Sequence, residues 1–183
     1  MSRLVIGLSG NLDRPSKTRT LVLTAVAQAA ARFDAQGEVL DLIDFLPSLG
    51  QARRVEELDA AARAHLDRLV SADALILASP VYKGSYTGLL KHLIDLIDPD
   101  ALRDKPVLLA ATGGGDRHAL VVEHQLRPLL AFFEAQVLPT AVYASERDFV
   151  DGKPASAALL DRLSRAVGQI GPVLSRSRSA VTA

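Results

Sequence analysis

The regular alternation of short apolar runs with longer amphipathic patterns is the feature that most restricts how this chain can fold. A continuous apolar run bounded by turn residues is typical of a strand that helices cover on both faces. Apolar residues three and four positions apart indicate a helix. The two patterns alternate five times along the chain. The sequence therefore predicts five strands, each followed by a helix.

The predicted segments account for most of the chain. The strands are expected at residues 4–8, 38–42, 74–78, 107–111 and 136–142. The helices are expected from about residue 21 to Gly37, and at residues 55–70, 88–97, 118–133 and 157–173. Gly37 is interpreted as the terminator of the first helix, because glycine readily adopts the left-handed conformation that ends many helices.

Strands that alternate with helices in this way form parallel sheets through right-handed crossovers. The predicted fold class is therefore α/β, a flavodoxin-like three-layer sandwich whose five-stranded parallel sheet, of order 2-1-3-4-5, carries helices on both faces. Residues 1–174 are expected to form this single domain, and residues 175–183 a flexible C-terminal tail. Ligands of such sheets bind beyond the carboxyl ends of the strands. The loops after the first, third and fourth strands are thus the candidate site.

Charge and composition exclude several functional classes. Lys plus Arg and Asp plus Glu number 21 each, so no basic field would gather nucleic acid or an anionic membrane. The chain has no cysteine, which excludes disulfides, thiolate metal sites and cysteine nucleophiles. The first apolar run is too short for a signal peptide or a membrane span. We expect a cytoplasmic protein with no nucleic-acid partner and no membrane partner.

The first loop, residues 9–20, combines hydroxyl and cationic side chains and leads into the first predicted helix. A helix N-terminus offers unpaired N–H groups and a positive dipole end, which favour phosphate. Gly10 is the only glycine here, so neither the dinucleotide fingerprint nor a Walker loop fits. The candidates for holding a terminal monophosphate are Ser9, Arg14, Ser16, Lys17 and Thr18. Ordinary capping of the helix is the alternative.

The second loop, residues 79–88, is rich in glycine and tyrosine. Pro80 fixes the direction of the chain, and glycine would let the backbone approach a planar ligand. Tyr82 and Tyr86 are candidates to flank a ring, whereas tyrosines that merely cover the core are the alternative. The candidate binding residues are Pro80, Val81, Tyr82, Lys83, Gly84 and Ser85.

The third loop follows the fourth strand and contains three consecutive glycines. Each costs roughly 0.5–1 kcal/mol of backbone entropy relative to alanine, so close approach of a ligand would explain them. A merely flexible loop is the alternative. The candidate binding residues are Thr112, Gly113, Gly114 and Gly115.

Residues 7–18, 80–91 and 111–114 together resemble the NAD(P)H-dependent FMN reductase family, above all the reductase components of two-component alkanesulfonate or methanesulfonate monooxygenase systems. The resemblance covers about residues 4–142. It implies FMN and NADH or NADPH as cofactors, with the FMN phosphate in the first loop and the isoalloxazine ring against the second and third. It also implies a homodimer or homotetramer, and a transient partner, an FMN-dependent sulfonate monooxygenase that uses the reduced FMN.

Such an enzyme needs no catalytic side chain, because the resemblance implies direct hydride transfer from nicotinamide C4 to flavin N5. The four histidines are scattered, and no metal-binding or nucleophile motif is present, so no metal is expected. Two alternatives remain open. One is a quinone, azo or chromate reductase that keeps its FMN bound. The other is a non-enzymatic electron carrier of the flavodoxin type.

The fourth predicted helix holds a position that matters in the relatives. Some sulfonate-system reductases carry an inserted residue there, often tyrosine, which produces a π-helical bulge at a tetramer interface. His124 stands at the matching position. Pro128 lacks the N–H that would bond to the carbonyl of His124, so the residues themselves predict a kink or π-bulge. A solvated histidine beside a proline kink is the alternative.

Overall fold

The computed structural model describes residues 2–174, so the predicted tail lies outside the described residues. The strands are β1 (Arg3–Ser9), β2 (Ala35–Asp41), β3 (Ala74–Pro80), β4 (Pro106–Gly113), β5 (Gln136–Val137), β6 (Val142–Ser145), β7 (Phe149–Val150) and β8 (Lys153–Pro154). The helices are α1 (Lys17–Phe33), α2 (Ala60–Ser71), α3 (Gly88–Asp95), α4 (Arg127–Ala131) and α5 (Ala157–Gly168).

The main sheet confirms the predicted fold class. Its strands are parallel and lie in the order β2-β1-β3-β4-β5, with β6 also paired to β4. One apolar core, around Leu21 and Leu163, joins this sheet to α1 and α5. A second core, around Leu66 and Leu93, joins the opposite face to α2 and α3. Helices therefore cover both faces, and the sheet strands read as continuous apolar runs for this reason.

The first helix ends earlier than expected, and the predicted role of Gly37 is wrong. α1 ends at Phe33, and Asp34 takes the left-handed cap conformation with φ of 49°. Gly37 lies inside β2, where a Cβ atom would come within 2.7 Å of Val26 on α1. The glycine is thus needed for close packing of the strand against the helix.

The fifth predicted strand, 136–142, is divided into β5 and β6, which both pair with β4. Pro139 lies between them and has no N–H to donate to the ladder. The second strand segment also continues past the predicted end, to Ser145. This extension carries the chain to the carboxyl edge of the sheet, beside the candidate site.

The second and fourth predicted helices also differ from the structure. The helix predicted over 55–70 begins only at Ala60, because the Asp59 side chain caps it by accepting from the Ala62 N–H at 2.9 Å. The helix predicted over 118–133 is interrupted, in line with the kink or π-bulge expected at His124: a π-helix over Val122–Leu126 precedes the short α4. At that junction the Arg127 N–H donates to the carbonyl of Val122, five residues back, and Pro128 follows directly.

Candidate functional site

Hydrogen bonds join the three candidate loops pairwise at the carboxyl edge of the sheet. The first and second loops are joined by the Thr87 hydroxyl, which donates to the Gly10 carbonyl at 2.8 Å. The second and third are joined by the Val81 N–H, which donates to the Thr112 carbonyl at 2.8 Å. The buried hydroxyls of Thr18 and Thr112, 2.6 Å apart, join the first to the third. The loops therefore form one structural unit.

A cavity of about 160 Å³ lies between these loops, and we call it the loop cavity. Seven of its lining residues were candidates from the sequence, and Glu146 and Phe149 were not. The lining residues are Lys17, Pro80, Val81, Tyr82, Thr112, Gly113, Gly114, Glu146 and Phe149. A Cβ atom at Gly114 would meet no atom within 4 Å. The space that a side chain would fill at this position is therefore part of the cavity. A planar group would find an apolar wall on one side and bare backbone on the other.

The first turn of α1 lies at one end of the loop cavity. The Ser16 hydroxyl caps this helix by accepting from the Arg19 N–H at 3.3 Å, and Lys17 and Thr18 follow in the first turn. Helix starts leave backbone N–H groups without intrahelical partners. Ser9 differs from these residues, since its hydroxyl is fully buried and donates to Asn11 at 2.6 Å. Ser9 therefore stabilises the first loop through this buried hydrogen bond.

Arg14 is turned toward the end of β2 and forms ion pairs there. Its Nε lies 2.7 Å from the buried carboxylate of Asp41, and its Nη2 lies 2.7 Å from Asp44. Hydrogen bonds from the two carboxylates, that of Asp41 foremost, raise the pKa of Arg14. Arg19 adds a second cation, with its Nε 3.0 Å from Asp41; this contact is an ion pair and not a hydrogen bond, because the buried N–H finds no acceptor.

The second loop is a tight hairpin beyond the cavity wall. Tyr82 and Ser85 exchange backbone hydrogen bonds of 2.8 and 3.1 Å. Between them Lys83 and Gly84 both have positive φ, 51° and 84°, as the central residues of a type I′ turn require. Lys83, Gly84 and Ser85 therefore do not line the loop cavity, whereas Tyr82 does. The turn geometry explains Gly84 without a ligand.

Tyr143 of β6 fixes the third loop from the side. Its hydroxyl donates to the carbonyl of Gly115 at 2.5 Å. Burial, with a smaller contribution from Asp116, raises the pKa of this phenol, so it stays a neutral donor at ordinary pH. Gly115 is thus held through its backbone at the rim of the site.

Sequence reasoning missed Asp41, Glu146, Phe149 and Tyr143. Asp41 and Glu146 stand at the carboxyl ends of β2 and β6, so strand position could have indicated them. The predicted fifth strand ended at residue 142, however, and this error hid the residues that follow. Phe149 and Tyr143 are apolar or amphipathic side chains that pattern alone assigns to the core.

A larger cavity, of about 630 Å³, lies away from the loop cavity, between α3 and the π-helix with α4. Tyr86 lines this cavity and not the loop cavity, so of the two candidate tyrosines only Tyr82 lines the loop cavity. His124 and Pro128 line it as well. The Ser85 hydroxyl donates to Gln125 at 3.1 Å, which connects the second loop to the π-helix.

Between residues 2 and 174, no group of three or more histidine, aspartate or glutamate side chains is placed to hold a metal ion. Within the same range, no helix has the length and apolar character needed to cross a bilayer.

The fold and the loops define a class of protein. The strand order places the candidate loops at the switch point where flavodoxin-like sheets bind FMN. The residues fit that group: a helix start with Ser16, Lys17 and Thr18 suits a phosphate, and the narrow cavity with an open Gly114 suits a flat ring. The strand order and the arrangement of these loops are those of the flavodoxin-like class of proteins.

Comparison with known proteins identifies the family. The model of the family "NADPH-dependent FMN reductase" matches residues 3–149. NADH-dependent FMN reductase SfnF of Pseudomonas fluorescens is 48% identical over 169 residues, covering 92% of this chain and 90% of the relative. FMN reductase (NADPH) of Pseudomonas aeruginosa is 47% identical over 169 residues, covering 92% and 91%. The chain belongs to the NADPH-dependent FMN reductase family, which confirms the resemblance.

A solved structure supports the same assignment. The apo form of NADH:FMN oxidoreductase (EMOB) has a TM-score of 0.82 and 31% sequence identity, over 95% of this chain and 90% of that one. The family is one of NAD(P)H:FMN oxidoreductases, so FMN and a nicotinamide dinucleotide are the cofactors that membership implies.

Proposed function

We propose that this enzyme reduces FMN with NADH or NADPH and releases the reduced FMN to a separate monooxygenase that cleaves the carbon–sulfur bond of a sulfonate. The first part of the proposal, the reduction of FMN, rests on the loop cavity, which the three loops enclose next to the start of α1. Bound there, FMN supplies the ring that accepts the hydride.

The residues of this chain bind FMN and orient its ring. The start of α1, with Ser16, Lys17 and Thr18, holds the phosphate, while Pro80 and Val81 face the ring from one wall. Thr112 is held by its bond to Thr18, so the ring and phosphate ends of the site keep a fixed spacing. Such positioning accounts for most of what the protein contributes to a hydride transfer between two bound rings.

Arg14 remains a candidate to assist phosphate binding, but in a less direct role than the sequence suggested. Its Nε and Nη2 are engaged by Asp41 and Asp44. The guanidinium would therefore act mainly by shaping the loop and by its charge. Its side chain remains 43% exposed, so a direct contact from the remaining nitrogen is sterically open.

The sulfonate half of the proposal rests on the likeness to reductase components of sulfonate monooxygenase systems. Relatives at 48% and 44% identity are named SfnF and SfnE, which accords with that role. Free exchange of FMN is what such a role requires, because the monooxygenase must receive the reduced flavin.

Steady-state oxidation of NADH and of NADPH, with and without added FMN, tests the proposal. We expect oxidation that depends on added FMN and saturates with it, and a protein that loses FMN on gel filtration. A reductase of quinones, azo compounds or chromate would keep its FMN through turnover. An electron carrier would oxidise neither nucleotide, and that result would overturn the proposal.

We further propose that the cavity between α3 and the π-helix receives a second copy of this chain, in a dimer or tetramer. Phe132 lines this cavity together with the apolar side chains of Ile94, Ile97 and Leu129, and it is 69% exposed. An exposed apolar patch of this kind often marks an interface. His124 and Pro128 lie in the same region, as the likeness to tetrameric sulfonate-system reductases leads us to expect.

Phe132→Asp is expected to weaken self-association by at least about 30-fold, since a buried aromatic anchor commonly contributes about 2 kcal/mol or more. Sedimentation velocity over a range of concentrations measures the effect. Leu23→Asp is the control, because Leu23 is also exposed, at 41%, but lies on α1 across the sheet. Equal masses for the wild type and the Phe132→Asp variant would rule out this face as the interface.

A further inference from the structure

The turn after β6 places a charged pair at the wall of the loop cavity. Ser145 caps this turn, and its N–H and hydroxyl both donate to Asp148, at 2.8 and 3.0 Å. The cap directs Glu146 to the cavity, where it forms an ion pair with Lys17 of α1. The Lys17 Nζ also lies 5.9 Å from the centre of the Phe149 ring. Both charges therefore border the space assigned to the flavin.

The same turn is tied to the opposite side of the site. Arg147 Nη2 lies 2.7 Å from Asp116, which follows the third loop. Ion pairs thus connect the turn to α1 on one side and to the glycine loop on the other. Because two contacts restrain it, the position of Glu146 does not depend on the exposed Lys17 pair alone.

The reaction changes the charge next to this pair. Hydride transfer breaks the C4–H bond of the nicotinamide and forms an N5–H bond on the flavin; the nucleotide is oxidised and the FMN reduced. The nicotinamide ring gains a positive charge, and the flavin ring carries a negative charge until it takes a proton from water. A lone lysine at the cavity wall would bind this reduced anion more tightly than the oxidised, neutral ring.

We infer that Glu146 is a specificity-determining residue that neutralises Lys17 and so keeps the site from retaining reduced FMN. The inference deepens the proposed function, on which it rests, because a reductase that supplies a separate enzyme must release its product. The phosphate carries the same charge in both redox states of FMN, so a contact of Lys17 with the phosphate does not alter the ratio of the two affinities. The charge that Lys17 presents to the ring does alter it, and the Glu146 carboxylate at the same wall balances that charge. Oxidised and reduced FMN are then bound with similar strength.

The test is the ratio of the dissociation constants for oxidised and reduced FMN, measured anaerobically by fluorescence. Glu146→Gln is expected to tighten binding of reduced FMN about fivefold more than that of oxidised FMN, so that the ratio changes about fivefold. A fivefold change in the ratio raises the midpoint potential of the bound flavin by about 20 mV. The release of reduced FMN, followed by stopped flow, slows to the same extent.

Lys17→Gln is expected to change the ratio in the opposite direction, and the double variant to restore it, because the pair is then replaced by two neutral groups. Glu134→Gln is the matched control: it removes an exposed carboxylate paired with Arg103, outside the residues that line the loop cavity.

The outcomes separate the two proposals. A wild-type protein that binds no FMN contradicts the proposed function. Normal FMN binding with an unchanged ratio in both single variants overturns the role of Glu146 and leaves the reductase function standing. An equal change for both redox states of FMN also overturns it, because the carboxylate would then act only as part of the wall.

Discussion

Gly114→Leu is expected to weaken FMN binding strongly while leaving the fold intact. A Cβ atom at Gly114 meets no atom within 4 Å, and no positive φ is required there. The protein therefore has room for the side chain, but the room is the loop cavity itself. We expect the dissociation constant for FMN to rise by about 100-fold or more, equivalent to about 2.7 kcal/mol.

Fluorescence titration with FMN and thermal unfolding measure the two parts of this expectation. Gly50→Leu is the matched control, since a Cβ atom there also meets nothing within 4 Å and the residue is exposed and does not line the loop cavity. Both variants should unfold close to the wild-type temperature. Retention of wild-type FMN affinity by Gly114→Leu would place the flavin outside the loop cavity.

Asp41→Asn is expected to have the largest effect on stability. The Asp41 carboxylate is fully buried and accepts hydrogen bonds from Arg14 Nε at 2.7 Å, Arg14 Nη2 at 2.8 Å and the Ile43 N–H at 3.0 Å. Loss of its charge leaves Arg14 and Arg19 without their shared partner. Breaking a fully buried pair costs about 3–5 kcal/mol, and the partial exposure of both arginines reduces the expected loss to about 2–3 kcal/mol.

Chemical unfolding at neutral pH measures this loss, which corresponds to a melting temperature lower by about 5–10 °C. The affinity for FMN should fall as well, by about tenfold, because the pair fixes the loop that enters α1. Glu38→Gln on the same strand is the control; it breaks the surface pair with Arg68 and should cost about 1 kcal/mol or less. A difference below about 0.5 kcal/mol between Asp41→Asn and the wild type would show that the pair contributes little.

The sequence alone predicted the order of elements, the parallel sheet and the three loops. These follow from patterns that local physics imposes: covered strands read as continuous apolar runs, and helices as apolar residues at a spacing of three and four. The errors were at boundaries. Gly37 carried the signal of a helix end but serves close packing of β2 on α1, and only the tertiary contact separates these two roles.

The candidate site was predicted in part, and the lining residues that were not predicted were missed for one common reason. Pro80, Val81 and Thr112 line the loop cavity as their loops suggested. Glu146 and Phe149 come from the segment after Pro139, which divides the last strand and carries it further than the pattern indicated. Arg14 was a candidate for phosphate because of its charge, but Asp41 and Asp44, far away in sequence, determine where that charge lies.

The sequence by itself determined the fold class, the three loops that meet at the carboxyl edge of the sheet and the family to which the chain belongs. Local composition and spacing encode these features, since each depends on residues near one another in the chain. Only the tertiary structure decided which charges are paired. Lys17 meets Glu146 across 129 residues, and such a contact arises from the packing of parallel strands, which no local pattern records.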